Sequence, residues 1–221
     1  MNYLSHYFID HIPGNHYHNT GLLLPDVCKR WIKHFHHPPL PHPSADTQTQ
    51  LYSGTVKHYA ADKKFHASEF FTSHVYIFTR AVNEAGLSEQ VQRKWFIAHI
   101  AFELMLDRML VNCYPEKVDA FYESLLLVEP SELKQFLLHY GMSDSEAFFQ
   151  FYRHFTGVQY IYYYTNNNKF IYSLNRIMMR VGLPAMDETD GNKLLAALLK
   201  LENDYFADAE KQVNSLRQIF T

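Results

Sequence analysis

Glycine is scarce: 8 of 221 residues, too few for the many tight turns of a sandwich or barrel. Cysteine is scarcer. The 2 cysteines, Cys28 and Cys113, make neither a disulfide framework nor a CxxC metal motif, a usage that fits a reducing cytoplasm. No excess of positive charge exists either. Lys and Arg number 20 against 23 Asp and Glu, so nothing suggests a surface that wraps nucleic acid. A run of about 18 apolar residues, the length that spans a bilayer, is missing. The opening MNYLSHYFIDHIPG lacks the Lys or Arg that precedes a signal-peptide core, and it carries His6, Asp10 and His11. The expectation is a cytoplasmic protein without a membrane span, of undetermined oligomeric state.

What is abundant is apolar and aromatic. Hydrophobic residues make up 47% and charged residues 19%, enough to bury a core and to exclude a disordered chain. Aromatics reach 16%, with 16 Tyr and 17 Phe. Histidine stands out at 14 residues, most of them in the first third and scattered rather than consecutive.

A single stretch reads as a break. His34 to Gln50, HFHHPPLPHPSADTQTQ, holds Pro38, Pro39, Pro41 and Pro43. Proline removes an amide donor and restricts its predecessor, so no helix crosses it. The segment before it is too short for a core of its own, so residues 34–50 are expected to be a surface loop within one domain. The remainder has helical periodicity. Residues 67–85 place Phe70, Phe71, His74, Val75, Phe78 and Val82 on one stripe, with Gly86 as a stop. A helix is expected from about Ser88 through Val111, another from Pro115, and one capped by Ser131. Ser143 and Glu146 form a capping-box pattern. Tyr160–Tyr164 has strand propensity but no partner strand, so it is expected to be helical or helix-flanking. Segments 170–181 and 192–220 complete the set. The chain, 1–221, is expected to be one all-α domain of about eight or nine helices.

Two segments carry chemistry. In GTVKHYAADKKFH, His58, Asp62 and His66 are four apart and share a helix face. In HIAFELMLD, His99, Glu103 and Asp107 repeat that spacing among apolar neighbours. Facing helices that each offer imidazole and carboxylate are how a bundle builds a metal site. Such a donor set suits Mn, Mg, Fe or Zn. The same spacing also describes the wet face of an amphipathic helix answered by Arg93, Lys94 and Arg108, and spacing leaves both readings open. Asp26, after the apolar run and Pro25, is a third candidate. It equally fits an ordinary acid in a helix's first turn.

These residues resemble a known pattern. Met1-Asn2-Tyr3-Leu4-Ser5-His6 is similar to the opening MNFLAH of the acyl carrier protein phosphodiesterase family. Gly21-Leu22-Leu23-Leu24-Pro25-Asp26 is similar to its GNLLAD. Gly54-x3-His58-x3-Asp62 fits its G-x3-H-x3-D. Glu103 and Asp107 fall where it has two acids, and Phe170-Ile171-x3-Asn175 resembles a late segment. The matches run in order over most of the chain. The resemblance implies an all-helical fold like HD-domain phosphohydrolases, working in fatty acid biosynthesis. It implies a divalent-metal hydrolase that releases 4′-phosphopantetheine from holo acyl carrier protein. The implied metal ligands are Asp26, His58, Asp62, Asp107 and His6, with catalytic roles for Asp62, Glu103 and His66. Acyl carrier protein is acidic, so Lys29, Arg30 and Lys63 are expected to bind it. The sequence departs from the pattern at Leu22, Tyr59, His66, Glu103 and Arg108, and in the proline-rich insertion. A phosphodiesterase-like metal site is therefore implied more directly than the substrate. Two other expectations stand beside it: an HD-like hydrolase of another phosphoester, and a non-catalytic helical protein that binds an apolar or acyl ligand.

Overall fold

The computed structural model describes residues 1–32 and 46–220. Among these, the chain forms eleven α-helices and one 3₁₀ segment, with no strand. The all-α expectation holds. The helices outnumber the eight or nine expected because the first 28 residues fold as three short ones: α1 (Tyr3–Asp10), α2 (His16–Gly21) and α3 (Leu24–Cys28). None is long enough to show a period. There follow α4 (Asp46–His66), α5 (Glu69–Glu84), α6 (Lys94–Cys113), α7 (Pro115–Leu126), α8 (Pro130–His139) and α9 (Ser145–Val158). The 3₁₀ segment is Tyr160–Thr165, then come α10 (Asn167–Arg180) and α11 (Glu188–Phe220). No helix among the described residues is long and apolar enough to cross a membrane.

Helix α6 is the hub. Residues on nearly all its sides are buried, and α1, α5, α7, α10, α11 and the 3₁₀ segment pack on it. Phe102 at its middle meets Phe65, Phe78 and Tyr205 at centroid distances of 5.8, 5.6 and 5.4 Å. Such edge and offset contacts account for the aromatic density of the sequence. Arg108 is not on a wet face. It is 6% exposed, and its guanidinium donates to Tyr164 O and Asn167 Oδ1, each at 2.9 Å, and to Glu202. A buried charge needs this saturation, and it ties α6 to α10 and α11.

Several boundaries differ from the sequence expectation. Residues 34–45 of the expected loop lie outside the described residues, while 46–50 are the start of α4 rather than loop. There Thr47 Oγ1 and Gln48 Nε2 donate to Glu132 on α8. Helix α6 begins at Lys94, not Ser88, because Asp190 captures Ser88 N at 2.9 Å and Arg93 turns left-handed at φ 50°. Helix α8 starts at Pro130 without a side-chain cap. Helix α9 is capped by Asp144, which accepts from Ala147 N at 3.0 Å, and not by Ser143.

One contact sets α2 and α3 against α4. Helices α2 and α4 cross backbone on backbone at Gly21 and Gly54. A Cβ on Gly54 would sit 2.1 Å from His18 O, and one on Gly21 2.2 Å from Leu51 O. Only glycine allows this approach, which brings Leu22 O within 2.8 Å of His58 Nδ1. Gly54→Ala is therefore expected to cost about 1–3 kcal/mol by overpacking, roughly 2–12 °C in Tm for a chain this size. Thermal unfolding followed by circular dichroism measures it, and an unchanged Tm would contradict the crossing.

Candidate metal centre

Helix α1 runs through the interior, and all eight of its residues are buried. A helix start leaves N–H groups without intrahelical partners, and Asn2 supplies no side-chain cap. Asp107 of α6 supplies one from a distance. Its Oδ2 accepts from Leu4 N at 3.2 Å, and its Oδ1 accepts from Ser5 N at 2.9 Å and Ser5 Oγ at 2.6 Å. A carboxylate at a helix N-terminus also meets the positive end of the dipole. Burial pushes the Asp107 carboxyl up to about 6, with the Ser5 and Leu4 donors pulling the other way. Both oxygens are engaged, so the structure gives this expected metal ligand the work of a helix anchor.

Held this way, α1 aims His6 at α4. The His6 ring is 1% exposed and stacks on His58 with centroids 3.6 Å apart. Neither His6 nitrogen has a hydrogen-bond partner among the described residues. Its Nε2 lies 3.4 Å from Asp62 Oδ1 without the alignment of a hydrogen bond. His58 Nδ1 faces a carbonyl, Leu22 O, which can only accept. The proton is therefore on Nδ1, and Nε2 presents its lone pair. Burial, then the neighbouring His6, pushes the His58 imidazole down to about 3, so it is neutral.

Asp26 arrives from α3. Leu22, Leu23 and Leu24 are buried beside it, and Pro25 starts the helix. Its oxygen Oδ1 accepts from Lys29 Nζ at 2.8 Å. Burial would raise its carboxyl, but His58 and Lys29 hold it below the usual range. Asp26 therefore is the first-turn acid of a short helix and also a neighbour of both imidazoles. His6, Asp26 and His58 each offer one ligand atom, all within 4.8 Å of one another.

Asp62 and Glu103 lie alongside. The Met1 ammonium sits between them, 2.8 Å from Asp62 Oδ1 and 3.1 Å from Glu103 Oε1. Burial lowers that amine, but Glu103 and Asp62 raise it further, to about 10. Burial would raise both carboxyls. His6 and the ammonium instead hold Asp62 far below the carboxylate range, and the ammonium, His66 and His99 do the same for Glu103. His66, raised chiefly by Glu103, and His99 approach Glu103 Oε1 to 3.5 and 3.0 Å. A cavity of about 340 Å³ opens on these groups.

The chain matches no protein-family model, no curated protein and no solved structure. Geometry therefore carries the reading of the site.

Of the residues singled out in the sequence, His6, Asp26 and His58 meet at one place with Asp62 beside them, while Glu103 and His66 meet at a second. Asp107 belongs to neither group. Lys29 lines the cavity. Arg30 and Lys63 are exposed and are not among its lining residues; the Arg30 guanidinium lies 5.6 Å from the Trp31 ring centre. Spacing pointed to His99 without giving it a role. Arg180 of α10, also on the cavity wall, had no sequence signal, because nothing local ties it to the two histidine segments.

Asp107→Ala separates anchor from ligand. It leaves two buried N–H groups and a hydroxyl without an acceptor, at about 3 kcal/mol or more, roughly 6–12 °C in Tm. That loss should appear equally with and without divalent metal. A variant as stable as the parent that has lost metal binding would make Asp107 a ligand instead.

Proposed function

We propose that the chain is a metal-dependent phosphodiester hydrolase similar to acyl carrier protein phosphodiesterase. The observation that carries this reading is the buried imidazole pair. His6 keeps two ring nitrogens unpartnered in the core, which costs about 1–3 kcal/mol per group. His58 is locked by a backbone carbonyl with its free lone pair in the same place. Metal-bound histidines characteristically have their second nitrogen fixed in this way. With Asp26 and Asp62 the donors are two imidazoles and two carboxylates, a set that fits Mn, Mg, Fe or Zn.

His6, Asp26, His58 and Asp62 would hold the ion. Bound there, it would polarise a phosphoryl oxygen and acidify a water. Lys29 and Arg180 on the cavity wall supply positive charge for the phosphate. Asp62 and Glu103 are held ionised, so they serve as fixed negative charge better than as proton acceptors.

A second cavity of about 360 Å³ adjoins the first, sharing Ile177 and Arg180, with Phe151, Tyr160, Tyr163 and Tyr172 among its walls. It offers room for the arm of a long substrate such as the phosphopantetheine of holo acyl carrier protein. It also favours the alternative of a non-catalytic protein that binds an apolar or acyl ligand.

The test is hydrolysis of holo acyl carrier protein and of a generic phosphodiester by untagged protein with manganese, magnesium or zinc. Asp62→Ala should lower the rate about 10²–10³-fold, as the loss of one electrostatic element does. Asp46→Ala, at the exposed start of α4, should leave it unchanged. Turnover of the generic ester alone would make another phosphoester the substrate. No turnover with any metal, together with binding of a fatty acid, would favour the ligand-binding alternative.

A further inference from the structure

We propose that His66, His99 and Glu103 form a second cation site beside the first, so that the cavity takes two divalent ions. This rests on the reading of His6, Asp26 and His58 as a metal centre. It adds ligands on α6 that the first centre does not use.

The donor geometry is the first ground. The three residues offer one ligand atom each, all within 4.8 Å of one another. Ligands about 2.0–2.2 Å from one ion lie no more than about 4.4 Å apart, so small side-chain rotations close the set. The donors come from α4 and α6, and both histidines line the open cavity with Glu103.

Hydrogen bonding is the second ground. His66 Nδ1 lies 2.8 Å from Asp62 O, a carbonyl that can only accept. In the neutral ring, Nε2 then presents a lone pair to Glu103 Oε1 at 3.5 Å. His99 Nε2 lies 3.0 Å from the same oxygen. One carboxylate oxygen thus gathers two imidazoles, and the Met1 ammonium 3.1 Å away already provides a cation there.

Asp62 links the two sites. Its Oδ1 is 3.4 Å from His6 Nε2 and 2.8 Å from the Met1 nitrogen, whose other carboxylate contact is Glu103. The sites also differ in access. The His6 and His58 rings are buried at 1% exposure, whereas the His66 and His99 side chains are 34% and 30% exposed. The first ion should be held tightly and exchange slowly, and the second should be weaker and exchange with solvent. Two adjacent ions suit an in-line displacement at phosphorus, where each stabilises one of the attacking and leaving oxygens.

Manganese alone, titrated into the untagged full chain by calorimetry and followed by electron paramagnetic resonance, tests this. The parent should take two ions in two steps and show a spin-coupled signal. His99→Ala should weaken the second step by at least about 10–100-fold, so that one ion is held tightly, and show an isolated-ion signal. His99→Gln, which keeps side-chain bulk and loses the imidazole, checks that the loss is of a ligand. His58→Ala should remove the tight step. One tight ion in the parent, unchanged by either His99 variant, would overturn the second site and leave the first standing, the imidazoles then being protonated partners of Glu103. No bound ion in any form would overturn both.

Discussion

Asp107 accepts two backbone N–H groups and a hydroxyl from the first turn of α1, and α1 carries His6. That buried anchor fixes the N-terminal helix against α6, so it sets how closely His6 approaches His58. The partner constraint is the crossing at Gly21 and Gly54, which sets Leu22 O against His58. One contact places the first imidazole, and the other fixes the proton of the second. Asp26 follows from the same crossing, because α3 begins directly after it.

The electrostatics follow from this packing. Asp26, Asp62 and Glu103 crowd one cavity. Such a cluster repels itself unless cations are interleaved. His58 and Lys29 beside Asp26, His6 and the Met1 ammonium beside Asp62, and the ammonium, His66 and His99 beside Glu103 hold all three carboxyls below their usual range. His6 and His58 lie deepest in this cluster, each 1% exposed. They stack on each other in the core, and His6 has no hydrogen-bond partner there. A divalent ion would give His6 its missing partner and share the Nε2 lone pair of His58.

Much of this was legible in the sequence, and for identifiable reasons. The long helices α5, α6 and α11 have apolar patterns that mark them, although Asp190 delays the start of α6. The i, i+4 spacing of His58, Asp62 and His66, and of His99 and Glu103, put those side chains on common faces, and packing turned the two faces toward one cavity. The part played by Asp107 was not legible. It shares the spacing of His99 and Glu103, but a carboxylate that caps another helix a hundred residues away has the same local pattern as a ligand. Arg108 looked like solvent-facing charge and is buried, because its partners on α10 and α11 are far along the chain. Arg180 reaches the cavity only through tertiary packing. Helices α1 to α3 were too short to show any period.

The central claim is that the buried pair of His6 and His58 is completed by a divalent cation. The most direct measurement is the Tm of the untagged chain as free manganese is raised. A ligand that binds only the folded state stabilises it by RT ln(1 + [L]/Kd), about 2.7 kcal/mol at a hundredfold excess over Kd. The Tm of the parent should climb with the logarithm of metal concentration, and His6→Ala should give a much flatter response. A parent Tm that stays constant through millimolar metal would contradict the account.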